Sequence, residues 1–224
     1  MCGRFTRMYT WKELHRLMRL ATATPELPFQ SSYNVAPTQT SPVVLGAAHA
    51  REARLMRWGL VPSWAKDLSF GSRCINARSE EAASKPAFRS AMKSRRCLVP
   101  ISGFYEWQKL GDKLKQPWYF TPADGAIFAL AGLWECWGSP DQPTETFTVL
   151  TGPPNDLLAK IHDRMPCILP PELWDSWLDT SQPPPPLPVF HAEEMVGTTV
   201  SSRVNSPRND APDLIQPAAP QGLW

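Results

Sequence analysis

The sequence predicts a mixed β fold, a bent or barrel-like sheet with a few helices around it. Three observations lead there. Short runs rich in branched and aromatic residues recur along all 224 residues, the pattern of many short strands. Helical periodicity is clear in only one long stretch, near the N-terminus. Prolines number 25, about twice the usual share, and they punctuate the connections. A chain of this length is one large domain or two small ones, and it can form a core without disulfide staples.

Taken in order, residues 10–21 read as a helix. Thr10 and Glu13 form a capping-box pair, and Trp11, Leu14, Leu17, Met18 and Ala21 recur at helical spacing. Pro25 and Pro28 end it. Pro37 forces an extended residue before it. Residues 42–46 and 53–60 read as strands, the second with two different faces. Residues 61–64 form a loop carrying an aromatic. A helix start is expected at 79–81, broken or restarted by Pro86. Lys85, Arg89, Lys93, Arg95 and Arg96 then make a basic run, read as a solvated face.

Residues 97–101 and 103–108 are strands, followed by a polar turn over 109–116 and a return at 118–121. Further strands are expected at 127–135 and 147–151, and short helices at 155–162 and 171–178. Residues 183–186 form a polyproline linker. A last strand is expected at 196–204, and the chain from Ser206 reads as irregular.

Hydrophobic content is 42% and charge 20%, with a net charge of +2, ordinary for a globular protein. No apolar run approaches the roughly 18–20 residues needed to span a membrane, and the N-terminus lacks a signal-peptide core. Five cysteines without paired spacing suggest neither a disulfide framework nor a zinc site. These features point to a reduced, cytoplasmic protein. The charge is unevenly placed: residues 1–110 hold 17 Lys/Arg against 7 Asp/Glu, and residues 111–224 hold 6 against 14. A basic half fits a polyanionic partner such as nucleic acid, unless the halves interleave and neutralise each other.

Cys2 is small enough for removal of Met1 to be expected. It would then carry an α-amine and a thiol on adjacent carbons, with unperturbed pKa values of about 7.7–8.0 and about 8.5. A 1,2-aminothiol condenses with an aldehyde through the amine and closes a thiazolidine through the thiol. An isolated cysteine needs partners before it reads as a nucleophile. Glu106 sits in an aromatic strand, where burial would raise its pKa and make it a proton shuttle, although strand alternation favours a wet face. His162 is placed for acid–base work, or for capping a helix C-terminus. Turn geometry accounts for Asn34 and Asn76 by default. Arg4 and Arg78 can clamp phosphates or form surface ion pairs. His15, His49 and His191 receive no role. No phosphate loop, metal-ligand spacing or nucleotide fingerprint is present, so no cofactor is expected.

Six segments occur together in order: Met1-Cys2-Gly3-Arg4-Phe5, Tyr33-Asn34-Val35-Ala36-Pro37, Trp58-Gly59-Leu60-Val61-Pro62, Ile75-Asn76-Ala77-Arg78-Ser79-Glu80, Gly103-Phe104-Tyr105-Glu106-Trp107 and Ile161-His162-Asp163-Arg164-Met165-Pro166. With them the chain closely resembles the SOS response-associated peptidase (SRAP) family over nearly its whole length. The resemblance implies a single-domain α+β fold with a barrel-like, mainly antiparallel β core flanked by short helices, spanning residues 1–217 with an irregular tail at 218–224. It implies recognition of abasic sites in single-stranded DNA and at single-to-double-strand junctions. The site is trapped as a covalent cross-link through Cys2, with Asn76, Glu106 and His162 as the other catalytic residues. Arg4, Asn34, Arg78 and Thr151 are implied as DNA contacts. Family members can carry two adjacent tryptophans after the Trp-Gly-x-x-Pro motif; Ser63-Trp64-Ala65 leaves Trp64 alone to stack on DNA. The older peptidase label rests on removal of the residue ahead of Cys2. We expect a cytoplasmic monomer, nucleoid-associated when bound to damage, with single-stranded abasic DNA as partner and no membrane contact. An N-terminal-nucleophile peptidase and a noncovalent single-strand binding module are the alternatives.

Overall fold

The computed structural model describes residues 2–46, 50–111 and 114–218. In chain order the elements are β1 (Arg4–Arg7), α1 (Trp11–Leu17), β2 (Ser32–Val35), β3 (Thr40–Leu45), β4 (Glu52–Trp58), β5 (Asn76–Arg78), α2 (Arg89–Ser94), β6 (Arg96–Ile101), β7 (Gly103–Lys109), β8 (Lys115–Pro122), β9 (Phe128–Ser139), β10 (Gln142–Gly152), β11 (Met165–Pro166), α3 (Trp174–Leu178) and β12 (Met195–Thr199). The architecture is α+β in one domain.

Strands β10, β4, β3, β6 and β9 pair in that order, and β9 pairs back onto β10. Five strands thereby close into a barrel, which removes the open edges a flat sheet would leave. Every pairing in it is antiparallel except β4 with β10. Where β4 ends, β5 takes its place beside β10: Phe147 lies opposite Trp58, and Val149 opposite Asn76. A second, antiparallel sheet runs β12-β8-β7-β1-β2.

The two sheets meet over an aromatic core. Phe5, Phe104 and Phe120 of the second sheet bury themselves with Trp58, Val99, Phe147 and Val149 of the barrel. Phe104 stacks on Phe120 with centroids 5.3 Å apart, and Phe5 lies 4.9 Å from Trp58, spacings that favour aromatic pairs. On the opposite face of the second sheet, Tyr105 and Tyr119 pack under Val200, Val204 and Leu214. Helices α1, α2 and α3 cover another side of the barrel with Leu14, Met18, Met92, Trp174 and Trp177.

The departures from the sequence reading have local causes. Helix α1 stops at Leu17 instead of continuing to residue 21. Arg19 takes a left-handed φ of 53°, Leu20 N–H returns to His15 O at 3.0 Å and Arg19 N–H to Arg16 O at 3.3 Å. This is a Schellman end without the usual glycine. The capping box at its start is present as expected. The helix expected over 155–162 is reduced to one 3₁₀ turn, Leu158–Lys160, because a run this short barely offsets the cost of its first turn. Chain beyond Ser206 is not loose: Pro212–Ile215 forms a 3₁₀ turn and Leu214 is fully buried. Of the expected tail at 218–224, Ala218 bonds Thr199 through both backbone groups, and 219–224 lie outside the described residues, as does His49. The turn over 109–116 is described except at Asp112 and Lys113.

Gly59, in the Trp58-Gly59-Leu60 segment, has φ of 113°, and a Cβ there would stand 2.7 Å from Gly71 O. Only glycine fits this crossing, which folds the loop of residues 60–75 back so that its end becomes β5. The charge halves do interleave. Arg51 pairs with Asp175 at 2.6 Å, Arg54 with Glu145 at 2.7 Å, Arg95 with Glu135 at 2.7 Å and Arg164 with Glu80 at 2.7 Å.

The basic run is not one solvated face. Lys85, Arg89 and Lys93 are exposed, but Arg96 is buried. Its guanidinium donates to Trp177 O, Met92 O, Asp179 O and Gln182 O and lies over the Trp177 ring at 5.6 Å. One charge thus satisfies the carbonyl ends of α2 and α3. Arg96→Met should lower unfolding free energy by about 1–3 kcal/mol, the scale for leaving a buried acceptor without its donor. Arg89→Ala should change it by less than about 0.5 kcal/mol. Urea unfolding reads both; equal effects would assign Arg96 to the surface.

Candidate active site

β1 and β7 are neighbours in the second sheet, with Arg4 opposite Tyr105 and Phe5 opposite Phe104. Carried one residue outward, this antiparallel register sets Gly3 across from Glu106, with Cys2 next in the chain. Side chains alternate along a strand, so Glu106 shares the inward face of Phe104 and is only 1% exposed. Alternation therefore places the carboxyl inside, not on the wet face. Burial pushes its pKa up from the usual carboxylate range, with nearby His162 pulling the other way.

Cys2 is fully buried among core residues of the sheet junction. Its Sγ lies 4.0 Å from Arg4 O. Burial, and secondarily the charge of Glu106, push the thiol well above its ordinary pKa. Asn76 reaches Cys2 from the barrel side: it opens β5, and its Nδ2 donates to Cys2 O at 2.7 Å. Its Oδ1 is buried and has no hydrogen-bond partner among the described residues, so an acceptor stands open beside Cys2.

His162 follows the 3₁₀ turn. The backbone N–H of Arg164 donates to its Nδ1 at 3.0 Å, which leaves the ring proton on Nε2 in the neutral form. Nδ1 also lies 2.9 Å from the exposed carboxylate of Asp163. Nδ1 bonds that carboxylate only when it carries the ring proton, so the two contacts belong to different placements of that proton. Cys2, Asn76, Glu106 and His162 thus gather from four separate segments: the start of β1, β5, β7 and the approach to β11.

The other expected residues lie around them. Thr151, fully buried on β10, lies opposite Arg78, and its Oγ1 donates to Ala77 O at 3.5 Å. Arg78 is exposed, 3.6 Å from Glu81. Asn34 is buried and Arg4 half-buried on the far side of β1, hydrogen-bonded to each other at 2.8 Å. Trp64 is 57% exposed in the loop between β4 and β5. Phe70 packs edge-on against it at 5.1 Å, with Arg73 over the Phe70 ring at 4.7 Å. An aromatic pair therefore stands where the sequence offered a single tryptophan.

Two residues escaped the sequence reading. Phe70 carries no signal, since its meeting with Trp64 depends on the loop's path. Arg164 stands two residues after His162, in the segment Ile161-His162-Asp163-Arg164-Met165-Pro166. It makes two 2.7 Å bonds to the Glu80 carboxylate and one to Thr151 O. It thereby holds the chain after β5 against the end of β10. The pairing lowers the Glu80 pKa to about 2.

Burial of Glu106 carries a stability cost with a definite sign. Its folded pKa lies above the unfolded value of about 4.3, so the native state binds more protons in that window. Stability then falls as pH rises through it. Glu106→Gln, which keeps the shape without the charge, should raise the melting temperature by a few degrees at pH 7 to 8. The gain should vanish near pH 4. A melting temperature lowered at neutral pH would mean that the carboxylate is a net stabilising partner.

Residues 1–207 match the family model described as SOS response associated peptidase (SRAP). The chain is similar to the abasic site processing protein YoqW of Bacillus subtilis strain 168, 39% identical over 222 residues that cover 96% of this chain and 99% of that protein. It is 33% identical to the abasic site processing protein HMCES of Gallus gallus, over 84% of this chain and 67% of that one. Among solved structures, a protein from Bacteroides thetaiotaomicron superposes with a TM-score of 0.83 at 25% identity, covering 97% of this chain and 100% of that one. A barrel with a second sheet laid across it, six ordered segments and a family match over nearly the whole length agree: the chain belongs to the SOS response associated peptidase family.

Proposed function

We propose that this protein processes abasic sites in single-stranded DNA, including sites at single-to-double-strand junctions, by trapping the ring-opened aldehyde on Cys2 after removal of Met1. The observation that carries the reading is the convergence on Cys2: the Asn76 amide holds its carbonyl at 2.7 Å, and a buried carboxyl with a raised pKa stands on the adjoining strand. The names of the relatives, abasic site processing proteins, support the substrate.

The chemistry follows from the groups present. The Cys2 amine attacks C1′ of the open sugar and gives a carbinolamine. Glu106 takes the proton released by the amine and returns it to the departing hydroxyl, so one water leaves and an imine forms. The thiol then adds to C1′; its sulfur bonds the carbon and its proton moves to nitrogen, closing the thiazolidine. A raised thiol pKa suits this order, because the sulfur stays protonated while the amine reacts first. Asn76 holds Cys2 and offers Oδ1 to a donor on the amine or the sugar. His162 moves protons at the sugar hydroxyl and in reversal. Arg78 contacts backbone phosphate, and Trp64 with Phe70 stacks on bases. Asn34 and Thr151 shape the site from behind, being buried.

An acyl-transferring cysteine peptidase needs a thiolate, and burial works against one at Cys2. A noncovalent binding module would need neither Cys2 nor Glu106.

Wild-type protein incubated with an abasic oligonucleotide should give a heat-stable shifted band on a denaturing gel. Cys2→Ala, and a form with a tag left ahead of Cys2, should give none. Glu106→Gln should form the band more slowly by about 10²–10⁴-fold, the range for a positioned acid–base group, with noncovalent binding little changed. A tagged protein that cross-links at the wild-type rate would sink the thiazolidine; peptide release in the absence of DNA would favour the peptidase.

A further inference from the structure

Residues 200–218 return as a strap across the outer face of the second sheet, where Val204 and Leu214 are buried against Tyr105 and Tyr119. Polar groups of β1 and β2 hold the strap from beneath. Asn34 Nδ2 donates to Val204 O at 3.3 Å, Ser206 O at 3.0 Å and Asn209 O at 2.7 Å. Asp210 accepts from Ser32 Oγ at 2.9 Å and from Tyr33 N–H at 2.5 Å. Arg4 adds three bonds: Nη1 to Val204 O at 2.7 Å and to Asn34 Oδ1 at 2.8 Å, and Nη2 to Asn205 O at 3.0 Å. Asn205 also accepts from Trp107 Nε1 at 2.7 Å through its side chain.

Arg4 is two residues from Cys2, and Trp107 directly follows Glu106. Asn205 therefore touches both strands that carry the reacting groups, one through its carbonyl and the other through its side chain. A rigid planar fork with three fixed acceptors makes Arg4 a poor mobile clamp and a good brace. We propose that the C-terminal strap is a positioning element. Through Arg4 and Asn205 it fixes Cys2, two residues ahead of β1, relative to Glu106 on β7, and the Arg4 guanidinium serves the chain instead of a DNA phosphate. The inference rests on the cross-linking chemistry above for its kinetic consequence, but its mechanical part stands without DNA.

Two substitutions test it. Arg4→Lys keeps the charge and loses the fork. Asn205→Ala removes only the side-chain bond to Trp107 and leaves the backbone contact to Arg4. The first readout is amide hydrogen exchange over residues 3–7 of the DNA-free protein, which should quicken at least about tenfold in both variants as this stretch loosens. The second is the cross-linking rate constant at saturating abasic oligonucleotide. It should fall at least about tenfold, because small displacements of reacting groups carry large penalties, with the reactive fraction and half-saturating DNA concentration unchanged. The third is noncovalent binding to a strand carrying a tetrahydrofuran abasic analogue, whose salt slope should match wild type in both variants and in Arg4→Ala.

Unchanged exchange in both variants overturns the proposal. So does a salt slope that shrinks by about 0.7 in Arg4→Ala, the mark of one lost phosphate contact on a single strand. A loss of reactive fraction with an unchanged rate constant also overturns it, since that reports partial unfolding. If wild type itself makes no cross-link, the functional reading fails, and the exchange readout alone decides whether the strap braces β1.

Discussion

The hydrogen bond from Asn76 Nδ2 to Cys2 O joins the two sheets beside the apolar core they share. Asn76 belongs to the barrel sheet, through β5 on β10. Cys2 belongs to the second sheet, through β1 on β7. Everything at the site depends on these two bodies meeting in one register. The parallel seam from β4 to β5 along β10 sets where Asn76 stands. The antiparallel pairing of β1 and β7 sets where Cys2 meets Glu106. A one-residue slip in either pairing would turn the side chains to the other face.

Burial then determines the chemistry. The inward face of β7 carries both Phe104 and Glu106, so the packing that stabilises the sheet junction also desolvates a carboxyl. The same burial raises the Cys2 thiol. Both groups thus keep their protons to higher pH than in water, which works against a thiolate at Cys2. Burial of the Glu106 carboxyl works against stability, while contacts such as Arg96 on its four carbonyls and Arg164 on Glu80 work for it.

Much of the fold was legible in the sequence because its signals are local. The capping box of Thr10 and Glu13, the branched and aromatic strand runs and the proline-marked loops all report on their own neighbourhood. Barrel closure was legible only as a tendency, since the pairing of β9 with β10 is the short-range part of a ring that also needs β4 and β6. What escaped depended on distant partners. Arg96 looked like one more surface cation until α3 packed its carbonyls around it. The stretch beyond Ser206 has the composition of a loose tail, and it is ordered by Asn34 and Asp210 across some 170 residues of sequence. Cys2, Asn76, Glu106 and His162 were named together through their segments' resemblance to a family. Taken singly, Glu106 read as a wet-face carboxylate and Asn76 as a turn residue. Their meeting is a property of sheet register that no single segment encodes.

The central claim is that both nucleophiles of Cys2 bond the same sugar carbon. The most direct measurement is NMR of the denatured, protease-trimmed adduct, formed from an oligonucleotide with ¹³C at C1′ of the abasic site and protein labelled with ¹⁵N at cysteine. The account predicts a saturated C1′ that shows one-bond coupling to the Cys2 nitrogen and the chemical shift of a carbon that also bears sulfur. A C1′ bonded to sulfur without nitrogen, or to nitrogen without sulfur, would contradict it.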